Sequence, residues 1–294
     1  SAENTALFQN GIIIHISENT VLGKPLQLIH AIKGNADSRI YPRIYVHVGS
    51  GSELEILHTE TGGDDHRHFI NTVIEAIVYD NARLKWTLTQ ERNIKTCQIN
   101  SFNLELKKNA VAIYNTFEFG GGFIRRDIHA HLKSAGGDFV INSLFIPTAK
   151  QHMDIFSRVH HESAHCNSSQ LVKGVLGGSS RGVFRGIAHV YKEANKTNAQ
   201  QTNHNLLVSP KARMNSIPQL EIYANDVKCS HGSTNGQIDE DAVFYLRTRG
   251  INRMEALELM VNGFCNEVVD KVKSKEFRTH IQKAMIQKME GMIQ

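Results

Sequence analysis

A turn cluster followed by an alternating apolar segment recurs along much of the chain, and its period limits the folds available. It appears as "GSELEI" at Gly51, "NARLKW" at Asn81, "NAVAIY" at Asn109 and "GGDFVI" at Gly136, with a further cluster, "ESAHCN", at Glu162. The spacing is roughly 26–30 residues, the range of solenoids and repeat arrays. A unit of that size cannot bury a core alone; stacked units share one and are stabilised by their neighbours. A twisted sandwich with regular hairpins also spaces its strands evenly, and the pattern by itself leaves both architectures open.

Strand follows strand up to about residue 238. "RIYVHV" from Arg43, "LKWTLT" from Leu84 and "VAIYNTFEF" from Val111 are runs rich in β-formers bounded by turn residues. "GGG" at Gly120–Gly122 lacks the phosphate-loop pattern and precedes the strand-like "FIRRDIHAHL", so a tight corner is the expected role. Gly174, Gly177, Gly178, Gly182 and Gly186 mark further corners and close backbone approaches. The character changes after Gly236. Asp239 is an N-cap before Val243, Phe244 and Leu246, and Gly250 is a stop. Asn252 with Glu255 forms a capping box opening a second helix that is expected to end near Gly263. Val268, Val272, Phe277, Ile281, Met285 and Met289 then form one apolar stripe. The expected division is a β body over residues 1–238 and a helical domain over 239–294.

Several function classes are disfavoured. Net charge is only +4 across 294 residues, with basic and acidic side chains interleaved, so nucleic acid is not an expected partner. The run Gly11-Ile12-Ile13-Ile14 stops at His15, far short of a membrane span. Cys97, Cys166, Cys229 and Cys265 show no CxxC spacing, so reduced thiols in a cytoplasmic protein are expected rather than a disulfide framework. The chain begins Ser1-Ala2-Glu3 without Met, and an upstream domain is expected to be missing. No catalytic residue is assigned.

The candidate ligands are Cys229 and His231 in "DVKCSHGSTNGQ". On a strand, residues two apart share a face, about 7 Å apart at Cα. Thiolate and imidazole both bind iron or zinc. Against this stands the plain reading of a small buried thiol and a turn histidine. Iron–sulfur and structural zinc sites take about four ligands, so this pair is half a site whose remainder comes from elsewhere. "HMDIFSRVHHESAHCNSS" offers His152, His160, His161, His165 and Cys166, and "GFIRRDIHAHL" offers Arg125, Arg126, Asp127, His129 and His131. Both are expected to be polar outer faces of strands or turns. The five methionines of the tail suit either an adaptable docking face or an ordinary helical core.

The strings "SSRGVFRGIAHV", "QTNHNLLVS" and "IPQLEIYANDVKCSHGSTNGQIDEDAVFYLRTRGI", with the helical tail, resemble the SufB/SufD family of iron–sulfur cluster assembly proteins, on its SufD side. The likeness is strongest from Ser179 to about Phe264 and weaker through the repeats. It implies a right-handed parallel β-helix followed by a C-terminal helical domain. It further implies a non-catalytic scaffold that pairs with SufB through the β-helix edge and holds the SufC ATPase through the C-terminal helices. A transient Fe–S cluster would form at the SufB junction. The family's motif Cys and His fall on Cys229 and His231. Its N-terminal helical region looks absent or shortened. In isolation no tightly bound cofactor is expected, and the open β-edge favours a homodimer. The alternatives are a β-solenoid enzyme acting on a polysaccharide and a zinc-binding structural protein.

Overall fold

Each turn cluster of the repeat supplies one residue with positive φ: Asn19, Gly51, Asn81, Asn109, Gly136 and His165. Gly takes this conformation without a Cβ clash, and Asn tolerates it better than other side chains. The corner amides then point along the coil axis. Asn19 donates to the Ser50 carbonyl, Gly51 to Asp80, Asn81 to Lys108, Asn109 to Ala135 and His165 to Asn195. The corner column is thereby hydrogen-bonded from coil to coil. Replacing Asn109 by Val is expected to destabilise the fold by about 1–2 kcal/mol, and by Gly to leave it nearly unchanged; urea unfolding of the two variants checks this.

The computed structural model describes residues 2–62 and 65–293. In it the chain winds into a parallel β-solenoid of about eight turns followed by helices, as expected from the sequence; the sandwich alternative is excluded by the all-parallel pairing. Apart from Ser38–Ile40 and Arg43–Val48, which follow one another in the same sheet, successive strands alternate between two sheets. Among the described residues one sheet has nine strands, running from Gly11–Ile16 to Arg213–Ile222, and the other eight, from Leu26–Ala31 to Lys228–Gln237. Register is kept over ten residues at a time: Asn167–Leu176 lies on Asn198–Leu207, which lies on Lys228–Gln237. Alternate side chains point inward, so His152–His161 is buried at every second residue. The inner stack includes Val46, Ile56, Ile74, Trp86, Leu88, Phe102 and Tyr114, with the last two rings stacked at 4.1 Å.

Among the described residues four helices accompany the solenoid: α1 (Ala2–Leu7), α2 (Glu240–Thr248), α3 (Arg253–Val269) and α4 (Lys275–Ile293). α1 is a single short segment against the first coils, where Asn4 donates to the Asn71 and Pro42 carbonyls. Asp239 caps α2 as expected, and Asn252 and Glu255 form the capping box of α3. α3 runs on past Gly263 to Val269, against expectation. The cost of a helical glycine, about 1 kcal/mol, is outweighed by burial of Cys265, Val268 and Val269 beyond it. The apolar stripe is real but is broken by a turn: Val268 lies in the last turn of α3, Val272 lies between helices, and Phe277 to Met289 belong to α4. All of them pack with Phe117, Phe119, Leu144, Ile146 and Val175 of one sheet. Lys173 ties the sheet to α3, donating to the Phe264 carbonyl at 3.0 Å, pairing with Glu267 and lying over the Phe264 ring.

Inside the solenoid a polar seam interrupts the apolar stack. The pattern expected Arg126 on an outer face; instead it is fully buried, because it has the same parity as Ile124 and Ile128 on Phe123–Leu132. Its guanidinium pairs with Glu118, donates to the Tyr114 hydroxyl at 3.2 Å and lies 3.5 Å from Glu60. Gln98 donates to Glu60 at 2.7 Å and accepts from Arg92 at 3.1 Å. Burial would raise the Glu60 carboxyl, but Arg126 and Arg92 outweigh it and hold the group at about 2. Glu118 is displaced upward, because burial there exceeds the pull of Arg126.

Candidate functional site at the last coil

Lys228–Gln237 is the last strand of its sheet, bonded on one side only, to Asn198–Leu207. Cys229 pairs with Ala199 and His231 with Gln201, both of which are buried. The two candidate ligands therefore occupy inward-facing positions of the coil. They are accessible because no further coil covers them: Cys229 is half-buried and His231 exposed. Cys229 packs beside Val190, Ala194 and Ala224. Burial raises its thiol above the ordinary range, partly opposed by the Ala199 backbone. A metal captured here would have to displace the thiol proton, making affinity rise with pH. Beneath His231, the side-chain carbonyl of buried Gln201 has no hydrogen-bond partner. Ser233 donates to Ser216 at 2.7 Å, and Ser216 to Asn203. The end of the solenoid is thus lined with small polar groups around a thiol and an imidazole.

The other candidate histidines divide by parity. His131, His160 and His189 form an outward column on three neighbouring strands, with His131 and His160 stacked at 4.4 Å. His131 and His189 bond to Glu162 and Glu221, each at 2.6 Å. His152 and His129 also face outward, as expected for a strand with one wet side. His161 departs from that expectation: it is fully buried and bonds Ser168 at 2.8 Å. His165 is the positive-φ corner, and Cys166 lies buried beside it. Cys97, Cys166, Cys229 and Cys265 are all free thiols. Gln201, Ser216 and Ser233 were not singled out from the sequence; two-residue parity from Cys229 reaches Ser233, but the rest require the register.

Residues 30–264 match the family model for the SufBD core domain of SUF-system FeS cluster assembly. The chain belongs to the SufBD family. The SufBD chain is 32% identical to the iron–sulfur cluster assembly protein SufD of Escherichia coli (strain K12), over 91% of its own length and 64% of that protein. It is 30% identical to the chloroplastic protein ABCI7 of Arabidopsis thaliana, over 91% of its length and 58% of the relative. A SufBD family protein of Mycobacterium tuberculosis (strain ATCC 25618 / H37Rv) is 25% identical over 99% of this chain and 74% of the relative. The SufBD chain thus spans less than two thirds of the first two relatives. The family read from the sequence is borne out, and the polysaccharide-enzyme alternative is not favoured. No helix among the described residues is long and apolar enough to cross a membrane.

Proposed function

We propose that this SufBD protein is a non-catalytic scaffold subunit that contributes Cys229 and His231 to a nascent iron–sulfur cluster completed by a second subunit. The observation that carries the reading is the position of both ligands on the inner face of an uncovered last coil. A SufB-like subunit laid against that edge would continue the solenoid and bring its own ligands to the same interior. Two ligands are too few for a cluster, so the chain alone would hold none tightly and would instead pair with itself in isolation. α2 follows the ligand strand after a two-residue link and exposes Phe244 and Tyr245, with Met254 and Leu259 exposed on α3. These aromatic and flexible side chains suit a docked SufC-like ATPase. Its ATP-driven movement would then be delivered next to the ligands. The four free thiols fit a reducing compartment, the cytoplasm.

The test uses the chain co-expressed with SufB-like and SufC-like partners from its own genome. In the Cys229→Ala/His231→Ala double variant, complex yield should be unchanged while iron and acid-labile sulfide on the purified complex fall at least about tenfold. Normal iron and sulfide on an intact double-variant complex would refute the assignment.

A further inference from the structure

At the opposite end of the solenoid the register brings together a second set of donors. Leu26–Ala31 is the edge strand of its sheet, and it sets His30 on Glu60 and Leu28 on His58 of the next coil. One donor atom each from His30, His58 and Glu60 lies within 4.8 Å of the other two. His58 is fully buried, yet neither ring nitrogen has a hydrogen-bond partner; the Glu60 Oε1 atom has none either. Buried polar atoms are ordinarily satisfied, so the lone pair of one His58 nitrogen and that of Glu60 Oε1, side by side and unused, ask for something to fill them. His30 lines a groove of about 600 Å³ between the first strands, with Leu28, Ile29, Ile40 and Tyr41, which gives the site a route to solvent.

We infer that His30, His58 and Glu60 form a binding site for one divalent first-row transition-metal ion at the floor of this groove. Two imidazoles and one carboxylate are a donor set suited to zinc, iron or cobalt, and the groove side leaves further coordination positions to water or a small ligand. The site is independent of Cys229 and His231, which lie at the other end of the solenoid. Two cations face it. Arg126 is 3.5 Å from Glu60 but is committed mainly to Glu118. Arg92 donates to His30 Nδ1 at 3.1 Å, and also to Gln98 and the Thr61 carbonyl. A guanidinium only donates, so it occupies a lone pair that a metal would need. Arg92 is therefore a built-in competitor: binding requires that one contact to open, while its two others can persist.

The experiment is a Co²⁺ titration of the full chain carrying Cys229→Ala and His231→Ala, read by the visible absorption of protein-bound cobalt and reversed by Zn²⁺. About one equivalent should bind. Adding His30→Ala, a change at a half-buried position on the edge strand, outside the apolar core, should weaken binding at least about tenfold, as should Glu60→Gln. Arg92→Gln should tighten it by removing the competing charge. Circular dichroism confirms that each variant is folded. Absence of a bound-cobalt spectrum at millimolar Co²⁺, or equal binding with and without His30→Ala, would overturn the site.

Discussion

Arg126→Met is expected to destabilise the protein by about 3–5 kcal/mol, one of the largest effects of any single substitution in the chain. Removing one member of a buried ion pair leaves the other charged and dry. Here it leaves Glu118 without its pair and strips Glu60 of one of its two compensating guanidiniums. The Tyr114 hydroxyl, also fully enclosed, loses its donor. The cost belongs to the orphaned carboxylates rather than to the missing arginine. Accordingly, Arg126→Met combined with Glu118→Met should recover most of the loss, because apolar replacement of a whole buried pair is often neutral or better. Urea denaturation of the single and double variants measures both quantities. A single variant within 1 kcal/mol of the parent would mean that the seam is solvated from inside and its charges do not depend on one another.

Acid should unfold the metal-free protein well above the carboxylate range. His58 is lowered from 6.5 to about 4, first by burial and then by His30, Arg126 and Arg92, with Glu60 in partial opposition. His161 is lowered to about 4 by burial, with His160 adding to it. Both bind protons more readily in the unfolded chain. Their contribution is therefore complete above pH 6.5 and is lost as pH falls from 6.5 through about 4. At about 1.4 kcal/mol per unit, each accounts for on the order of 3 kcal/mol. Glu60, held at about 2, adds a second loss that begins below 4.5. Urea midpoints should fall between pH 7 and pH 4.5, and less steeply in His161→Gln. Midpoints that stay level across that interval would show that the two imidazoles are hydrated in the native state.

The coil architecture was legible because one corner of each turn accepts few residue types. Gly51, Asn81, Asn109 and Gly136 were visible as repeat markers for the same reason that they bend the chain: each sits at positive φ. The caps of α2 and α3 were legible on similar grounds, since an N-cap is a local demand. What escaped was anything decided by packing between distant segments. Nothing local announces that α3 will continue beyond Gly263; the sheet beneath supplies the reason. Arg126 and His161 were placed outside because charged and polar side chains usually are, although their parity with Ile124 and Val159 pointed inward. His58 and Glu60 carry the same signal in "ELEILHTE", where they continue the inward series Leu54, Ile56. Cys229 and His231 could be paired by spacing alone, but their accessibility depends on the fact that the ladder stops there.

The coil-to-coil geometry also sets an order of assembly during synthesis. Bonded neighbours on adjacent coils are only 26 to 32 residues apart along the chain, so each new turn can close on the one before it as soon as it leaves the ribosome. Contacts of the tail reach much further: 91 residues from Lys173 to Phe264, 137 from Lys288 to Gln151 and 189 from His280 to Glu91. The helices therefore act as a clasp fastened after the coils are wound, and the turn that carries Cys229 and His231 is the last one laid down before it.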